Sequence, residues 1–116
     1  MYLEDRILQA IKNAMPSNAE FCEAHGNGAF YVGVSWKLNN DPERPNKMSK
    51  PISIRVSIEA AQDFSSASAQ VQEATLDRLV AFLSEKLTTF DPEHNVPKHE
   101  APPVEEWIVS SSIVAS

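Results

Sequence analysis

The sequence predicts a small α+β domain: a two-layer sandwich with two helices on one face of a three-stranded sheet, in the order α-β-β-α-β. Apolar residues recur every three to four positions in two segments and every second position in three others. The chain has 116 residues, of which 42% are hydrophobic and 22% charged. We therefore expect one domain over residues 1–116 that buries a core of its own.

The first element is an amphipathic helix that ends before Pro16, because proline lacks an N–H donor and clashes with the preceding turn. Residues 17–27 then predict a connection that finishes in a glycine- and asparagine-rich turn. The apolar residues of the helix lie four positions apart and form one stripe: Leu3, Ile7, Ile11 and Met15.

Two segments alternate apolar and polar residues and predict antiparallel strands, the first from Phe30 to Leu38 and the second from Ile52 to Ile58. Each strand has one apolar face for the core and one polar face. The residues expected to gather on the polar face are Tyr31, Lys37, Ser53, Arg55 and Ser57.

A second helix is predicted from about Ser66 to Thr89, with Ser65 or Ser66 as its N-cap. The stretch from Ala60 to Phe64 is ambiguous between a strand end and a helical turn. The apolar stripe of this helix comprises Val71, Leu76, Leu79, Val80, Leu83 and Leu87.

The proline-rich segment 91–103 predicts a surface loop, and Trp107, Val109 and Ile113 then predict a third strand. Ile108 and Val114 break the alternation of this strand. The second helix returns the chain, so we expect the third strand to run parallel to the second. We expect the first strand to lie in the middle of the sheet, with the third strand beside it and antiparallel to it. We also expect residues 114–116 to fray.

Charge is unevenly distributed along the chain. The formal net charge is −6, which argues against bulk attraction to nucleic acid or to anionic membranes. Segment 37–55 nevertheless carries five of the ten bases against two acids, a local charge of +3. A single cysteine, no apolar run long enough to span a membrane and no signal-peptide pattern predict a soluble, cytoplasmic protein without a membrane partner.

The loop of residues 39–51 is the strongest candidate for a binding site. Three prolines prevent a regular element there, and loops of this length often carry function. Its bases could contact phosphates or an acidic protein surface; the alternative is a solvated turn. The candidate binding residues of the loop and the adjoining strands are Tyr31, Lys37, Arg44, Lys47, Met48, Lys50 and Arg55.

Metal binding has a weaker basis. Cys22 and His25 have C-x2-H spacing and His94 and His99 have H-x4-H spacing, so the four could bind zinc if their loops met. Zinc sites usually contain paired cysteines, and this chain has one cysteine. The sequence therefore predicts no metal and no other cofactor, with a small zinc protein as a third reading.

The sequence contains no coherent catalytic set. Cys22 with a histidine would lack an orienting residue and an oxyanion hole. Glu105 and Glu106 are adjacent on a strand and would face opposite sides, and neither a lysine nor a helix follows the glycines at 26 and 28 as a phosphate loop requires. An enzymatic role is therefore the less favoured one.

The order helix–strand–strand–helix over about residues 3–88 resembles that of double-stranded RNA-binding domains. Those domains carry a basic cluster at the start of the last helix, whereas residues 62–68 contain an acid and no base. The whole order is also similar to that of small bacteriophage tail-completion proteins. Both are likenesses of element order, and no functional residue is carried over from either.

The sequence thus predicts a non-enzymatic binding or adaptor domain with a protein partner, contacted through the basic loop and the exposed sheet face. Nucleic-acid contact through residues 37–55 is the alternative. Exposed strand edges also predict a possible homodimer formed by pairing of strands.

Overall fold

The computed structural model describes residues 3–26, 29–38, 42–93 and 103–114. It confirms a mixed α+β fold, with a four-stranded sheet and three helices in place of the predicted three strands and two helices. The elements are α1 (Leu3–Ala14), β1 (Glu20–Gly26), β2 (Ala29–Ser35), β3 (Ile52–Val56), α2 (Ile58–Ser66), α3 (Ala69–Thr89), β4 (Glu105–Val109) and a 3₁₀ turn (Ser111–Ile113). Among the described residues, no helix has the length and apolar composition needed to cross a membrane.

The strands lie in the order β1-β2-β3-β4. β1, β2 and β3 pair antiparallel, and β4 pairs parallel to β3, which confirms the predicted direction of the last strand. Its predicted place beside the first strand is wrong. β1 already occupies that edge of β2, and the Glu105 N–H donates to the Pro51 carbonyl while the Ser57 N–H donates to that of Val109. β4 is therefore held along β3 near both of its ends.

β1 is the strand that the sequence did not predict, because the segment 17–27 was interpreted as a connection. Phe21 is the large apolar residue of β1 that packs, half-buried, against the core, while Cys22, Glu23 and Ala24 are exposed. An edge strand that buries so little has no apolar alternation to detect. Its seven residues pair with β2 from Glu20↔Ser35 to Gly26↔Ala29.

The predicted second helix is two helices, and the ambiguous stretch Ala60–Phe64 belongs to the first of them. Ser57 directly follows β3 and caps α2, because its Oγ accepts a hydrogen bond from the Ala60 N–H at 3.1 Å. Ser68 caps α3 in the same way through the Val71 N–H at 3.2 Å. The predicted caps at Ser65 and Ser66 are therefore wrong; both residues lie in the last turn of α2.

The predicted third strand is shorter than expected. β4 stops at Val109, and Ile113 lies in the 3₁₀ turn, where its N–H donates to the Ser110 carbonyl. Of the tail, Val114 caps this turn, and residues 115–116 lie outside the described residues. Residues 39–41 and 94–102 of the two proline-rich loops also lie outside them.

The core lies between the three helices and one face of the sheet. The predicted stripes supply part of it: Ile7 and Ile11 of α1, Met15 just after α1, and Leu79 and Leu83 of α3 are buried. The buried sheet residues occupy alternate positions: Val32, Val34, Ile52, Ile54, Val56, Trp107 and Val109. With all helices on this side, the opposite side of the sheet is left uncovered by the described residues.

Candidate functional site

The uncovered side of the sheet is called the open face. Side chains alternate along a strand, so the open face holds the positions between the buried ones. Most of its residues are exposed or half-buried. Across the four strands it comprises Cys22 and Ala24, Tyr31 and Gly33, Ser53 and Arg55, and Glu106 and Ile108.

One row across the open face combines an aromatic ring, a cation and an exposed aliphatic side chain. The register places Tyr31 opposite Arg55 and Arg55 opposite Ile108. The Arg55 guanidinium carbon lies 5.7 Å from the centre of the Tyr31 ring, within cation–π range. Ile108 is 54% exposed, and Val104, which precedes β4, is 60% exposed. Both side chains add exposed apolar surface at β4.

The neighbouring row is smaller and polar, with Cys22, Gly33, Ser53 and Glu106 in register. A Cβ built on Gly33 would lie 3.6 Å from the Cys22 carbonyl oxygen and 3.8 Å from its Cβ, which are ordinary contacts. The fold therefore does not require glycine at this position. The two rows together carry both signs of charge, through Arg55 and Glu106.

The described part of the predicted binding loop is paired with the chain beside it. Lys37 bridges to Met48, the Leu38 N–H donates to the Lys47 carbonyl, and the Ser49 N–H donates to the Trp36 carbonyl at 2.7 Å. This extends the β2–β3 hairpin beyond Ser35. Between the two stretches, residues 35–36 oppose residues 49–51, so the longer side forms a β-bulge.

Ser49 fixes this bulge. Its side chain is buried, 1% exposed, and its Oγ accepts a hydrogen bond from the Trp36 N–H at 3.1 Å. The next residue, Lys50, donates its N–H to the Pro92 carbonyl. The loop is therefore attached both to β2 and to the segment that follows α3.

An aromatic cluster of Trp36, Phe90 and Trp107 lies beside the bulge. Phe90 packs edge-on against both tryptophans, with ring centres 5.8 Å apart in each pair and interplanar angles of 69° and 88°. The Lys50 ammonium lies 5.6 Å from the centre of the Phe90 ring. The cluster joins β2, the C-cap of α3 and β4.

The predicted site residues of the loop lie close together, but several contact the chain itself. The Lys47 side chain is only 10% exposed and pairs with Glu93 at 3.6 Å. Arg44 and Met48 are half-buried, and each has a contact within the protein. Lys37 is the exposed base at this end. Tyr31 and Arg55 lie apart from the loop, on the open face.

Many other bases also contact groups of their own chain. Arg6 binds Gln72 and Glu73, Lys12 lies over the Phe21 ring, and Lys86 lies over the Phe82 ring. Arg78 donates to the Ser112 carbonyl at 3.1 Å. The described surface thus has few cations held ready for phosphate groups.

The residues missed by sequence reasoning are those of the open face that lie on β1 and β4. Cys22 and Ala24 were placed in a connection, and Ile108 was treated as a break in the third strand. The break at Ile108 was the sequence signal that an exposed apolar side chain lies on this face.

A second concave feature lies between α1 and α3, with a volume of about 600 Å³. Half-buried Leu8, Leu76 and Val80 form its floor, and charged residues such as Arg6 and Asp77 stand at its rim. Arg6 crosses the groove to reach Glu73, which ties the two helices together. We therefore interpret it as a packing groove between helices.

The two candidate zinc ligands that lie within the described residues, at positions 22 and 25, are not on the same face of the sheet. Positions 22 and 25 both lie on β1, and residues three apart on a strand belong to opposite faces. His94 and His99 lie outside the described residues. Within residues 3–26, 29–38, 42–93 and 103–114, no three His, Cys, Asp or Glu side chains come together as a metal site would require.

Comparison of the chain with protein-family models, curated proteins and solved structures finds no match.

Proposed function

We propose that this chain is a non-enzymatic protein-binding domain and that the open face is its contact surface. The observation that carries the proposal is the row Tyr31–Arg55–Ile108, which combines a stacked aromatic–cation pair with an exposed aliphatic side chain. Tyrosine and arginine are enriched among the residues that dominate binding energy at protein interfaces. Neither the helices nor the described loops cover this row.

The size of the open face indicates the kind of complex. Four strands about 4.8 Å apart and about five residues long present a surface of roughly 15 by 17 Å. A surface this small supports a transient complex unless strand edges add to it. We therefore expect a partner bound with micromolar rather than nanomolar affinity.

Charge favours a protein over a nucleic acid as the partner. Nucleic-acid affinity comes largely from cations that neutralise phosphates. Here Lys47 pairs with Glu93, Lys50 lies over Phe90, and Glu106 shares the open face with Arg55. Contact through residues 37–55 stays the alternative prediction, and it requires binding that falls steeply with salt.

The test compares two charge reversals that are matched in chemistry but lie on different surfaces. Arg55 and Lys86 are both exposed cations, and each lies 5.7 Å from an aromatic ring centre, Arg55 over Tyr31 and Lys86 over Phe82. Arg55→Glu and Lys86→Glu therefore remove similar intramolecular contacts. A protein captured by the wild-type chain from nuclease-treated source extract would be purified and titrated against both variants by calorimetry.

We expect Arg55→Glu to weaken binding at least tenfold and Lys86→Glu to leave it within about twofold, because about 1.4 kcal/mol corresponds to tenfold. Lys37→Glu tests the loop without breaking an internal ion pair, whereas reversal of Lys47 would break its pair with Glu93. Equal losses in the Arg55 and Lys86 variants, or a loss confined to Lys37→Glu, would refute the open face as the binding surface. If nuclease treatment abolishes the capture, nucleic-acid binding through residues 37–55 becomes the favoured function.

A further inference from the structure

The outer edge of β4 carries backbone groups that no described strand pairs with. In the parallel ladder with β3, Glu105 directs its N–H and Val109 its carbonyl toward β3. Successive residues of a strand direct these groups to opposite edges, so Glu106 and Ile108 direct theirs outward. β4 lies at the end of the sheet order, so within the described part of the chain these groups lie along an open sheet edge.

We infer that this edge pairs with β4 of a second copy of the chain, antiparallel and centred on Trp107. The two copies are related by a two-fold axis that is perpendicular to the sheet and passes between the two Trp107 residues. Each residue therefore lies opposite the residue that is equally far from Trp107 on the other side, so that residue 106 lies opposite residue 108 of the second copy. Both residues direct their backbone groups outward, so they exchange hydrogen bonds, about four in the dimer. The two sheets then form one continuous eight-stranded sheet.

The side chains favour this register over the one centred on Glu106. Centring on Glu106 would set Glu106 against itself, and like charges directly opposite each other destabilise a strand pair. Centring on Trp107 sets Glu106 opposite Ile108 instead. The two copies of Ile108 and the two copies of Glu106 then take diagonal positions, where large side chains are within reach of each other. Ile108 is 54% exposed in the single chain, and in the dimer it is partly covered by the Ile108 side chain of the second copy.

β4 is the better edge for a second copy than β1. Natural edge strands are protected by lysine, proline, bulges or covering elements, and β4 contains neither lysine nor proline between Glu105 and Val109. β1 also contains neither and, like β4, carries two glutamates, but Lys12 of α1 lies over its Phe21. Two of the three exposed large apolar residues of the described chain, Val104 and Ile108, lie on or next to β4.

This pairing does not depend on whether the open face binds a partner, and it would double the open face if it does. Two short strands bury less surface than a standard interface, so we expect dissociation in the micromolar to millimolar range.

The first experiment is sedimentation equilibrium of the full chain up to millimolar concentration, with Ile108→Lys and Ile108→Glu compared. Both variants remove the same aliphatic side chain, but in this register residue 108 lies opposite Glu106 of the second copy. We therefore expect Ile108→Lys to dimerise at least tenfold more tightly than Ile108→Glu. Ser84→Lys and Ser84→Glu, exposed on α3, control for the change in net charge.

The second experiment reads the register directly. In a Cys22→Ser background, Glu106→Cys and Ile108→Cys chains are mixed and oxidised under mild conditions. We expect the 106–108 cross-link to form in preference to 106–106 and 108–108. Three results would overturn the inference. The first is a wild-type chain that stays monomeric at millimolar concentration, and the second is a dominant 106–106 or 108–108 cross-link. The third is a difference in dimer affinity between the two Ile108 variants that is no larger than the difference between the two Ser84 variants. A monomer whose Arg55→Glu variant still loses its partner would leave the open-face proposal standing.

Discussion

Replacing Phe90 with leucine tests whether the aromatic cluster holds the loop of residues 42–51 on the sheet. Leucine keeps most of the apolar volume but removes both edge-on ring contacts with Trp36 and Trp107 and the cation–π contact with Lys50. The substitution therefore separates ring geometry from simple burial.

The expected cost follows from these contacts. An aromatic pair contributes about 0.5–1.5 kcal/mol beyond its buried area, and Phe90 makes two such pairs. A partly exposed cation–π contact adds about 0.5–1 kcal/mol. We expect Phe90→Leu to lower the free energy of unfolding by about 1.5–4 kcal/mol, a large part of the stability of a small domain.

Urea unfolding followed by tryptophan fluorescence measures this directly, because both tryptophans of the chain belong to the cluster. Phe82→Leu is the matched control. Phe82 is also half-buried on α3, but its described aromatic contact is the Lys86 cation alone. We expect it to cost at most about 1 kcal/mol. A Phe90→Leu cost below about 0.5 kcal/mol, or one no larger than that of Phe82→Leu, would show that ring geometry contributes little.

Three further predictions concern residues that join the elements. Ser68→Ala should cost about 1 kcal/mol because Ser68 caps α3, while Ser65→Ala should be nearly neutral; equal thermal shifts for the two would contradict the capping assignment. Gln72→Ala should lower the free energy of unfolding, measured by chemical denaturation, by about 1–3 kcal/mol, because the Gln72 amide donates to the carbonyls of Phe64 and Ala67 and accepts from Arg6. A loss below about 0.5 kcal/mol would show that these hydrogen bonds contribute little to joining α2, α3 and α1. Ser49→Ala should cost about 1–2 kcal/mol and speed amide hydrogen exchange at Trp36, and unchanged exchange there would rule out the Ser49 hydroxyl as its acceptor.

The sequence predicts those parts of the fold in which burial is periodic. Many of the residues that these patterns select in α1, α3, β2 and β3 are buried in the core, whereas Leu76, Val80 and Leu87 are half-buried and Ile58 is exposed in α2. β1 escaped prediction because an edge strand buries little, and its exposed Cys22 and Glu23 follow no period. The break between α2 and α3 escaped because Ser57, Ser65, Ser66 and Ser68 are all suitable caps, and tertiary packing selects among them.

The candidate site was predicted in part. Tyr31 and Arg55 were expected on the polar face and do lie together there. The loop bases were expected to be available for binding because a sequence shows their charge but not their neighbours. Glu93, which pairs with Lys47, and Phe90, which lies under Lys50, are more than 35 positions further along the chain. Such long-range pairs have no local signature.

The parallel pairing of β3 with β4 also bears on the order in which the chain folds. β1, β2 and β3 pair with near neighbours in sequence, whereas β4 can dock only after α2 and α3 have bridged the gap between Val56 and Glu105. Contacts that close long loops form slowly, because the loop entropy is lost before the contact stabilises. The Trp107 ring meets Phe90 only when β4 docks, so we expect the Trp107 part of the tryptophan signal to report that step.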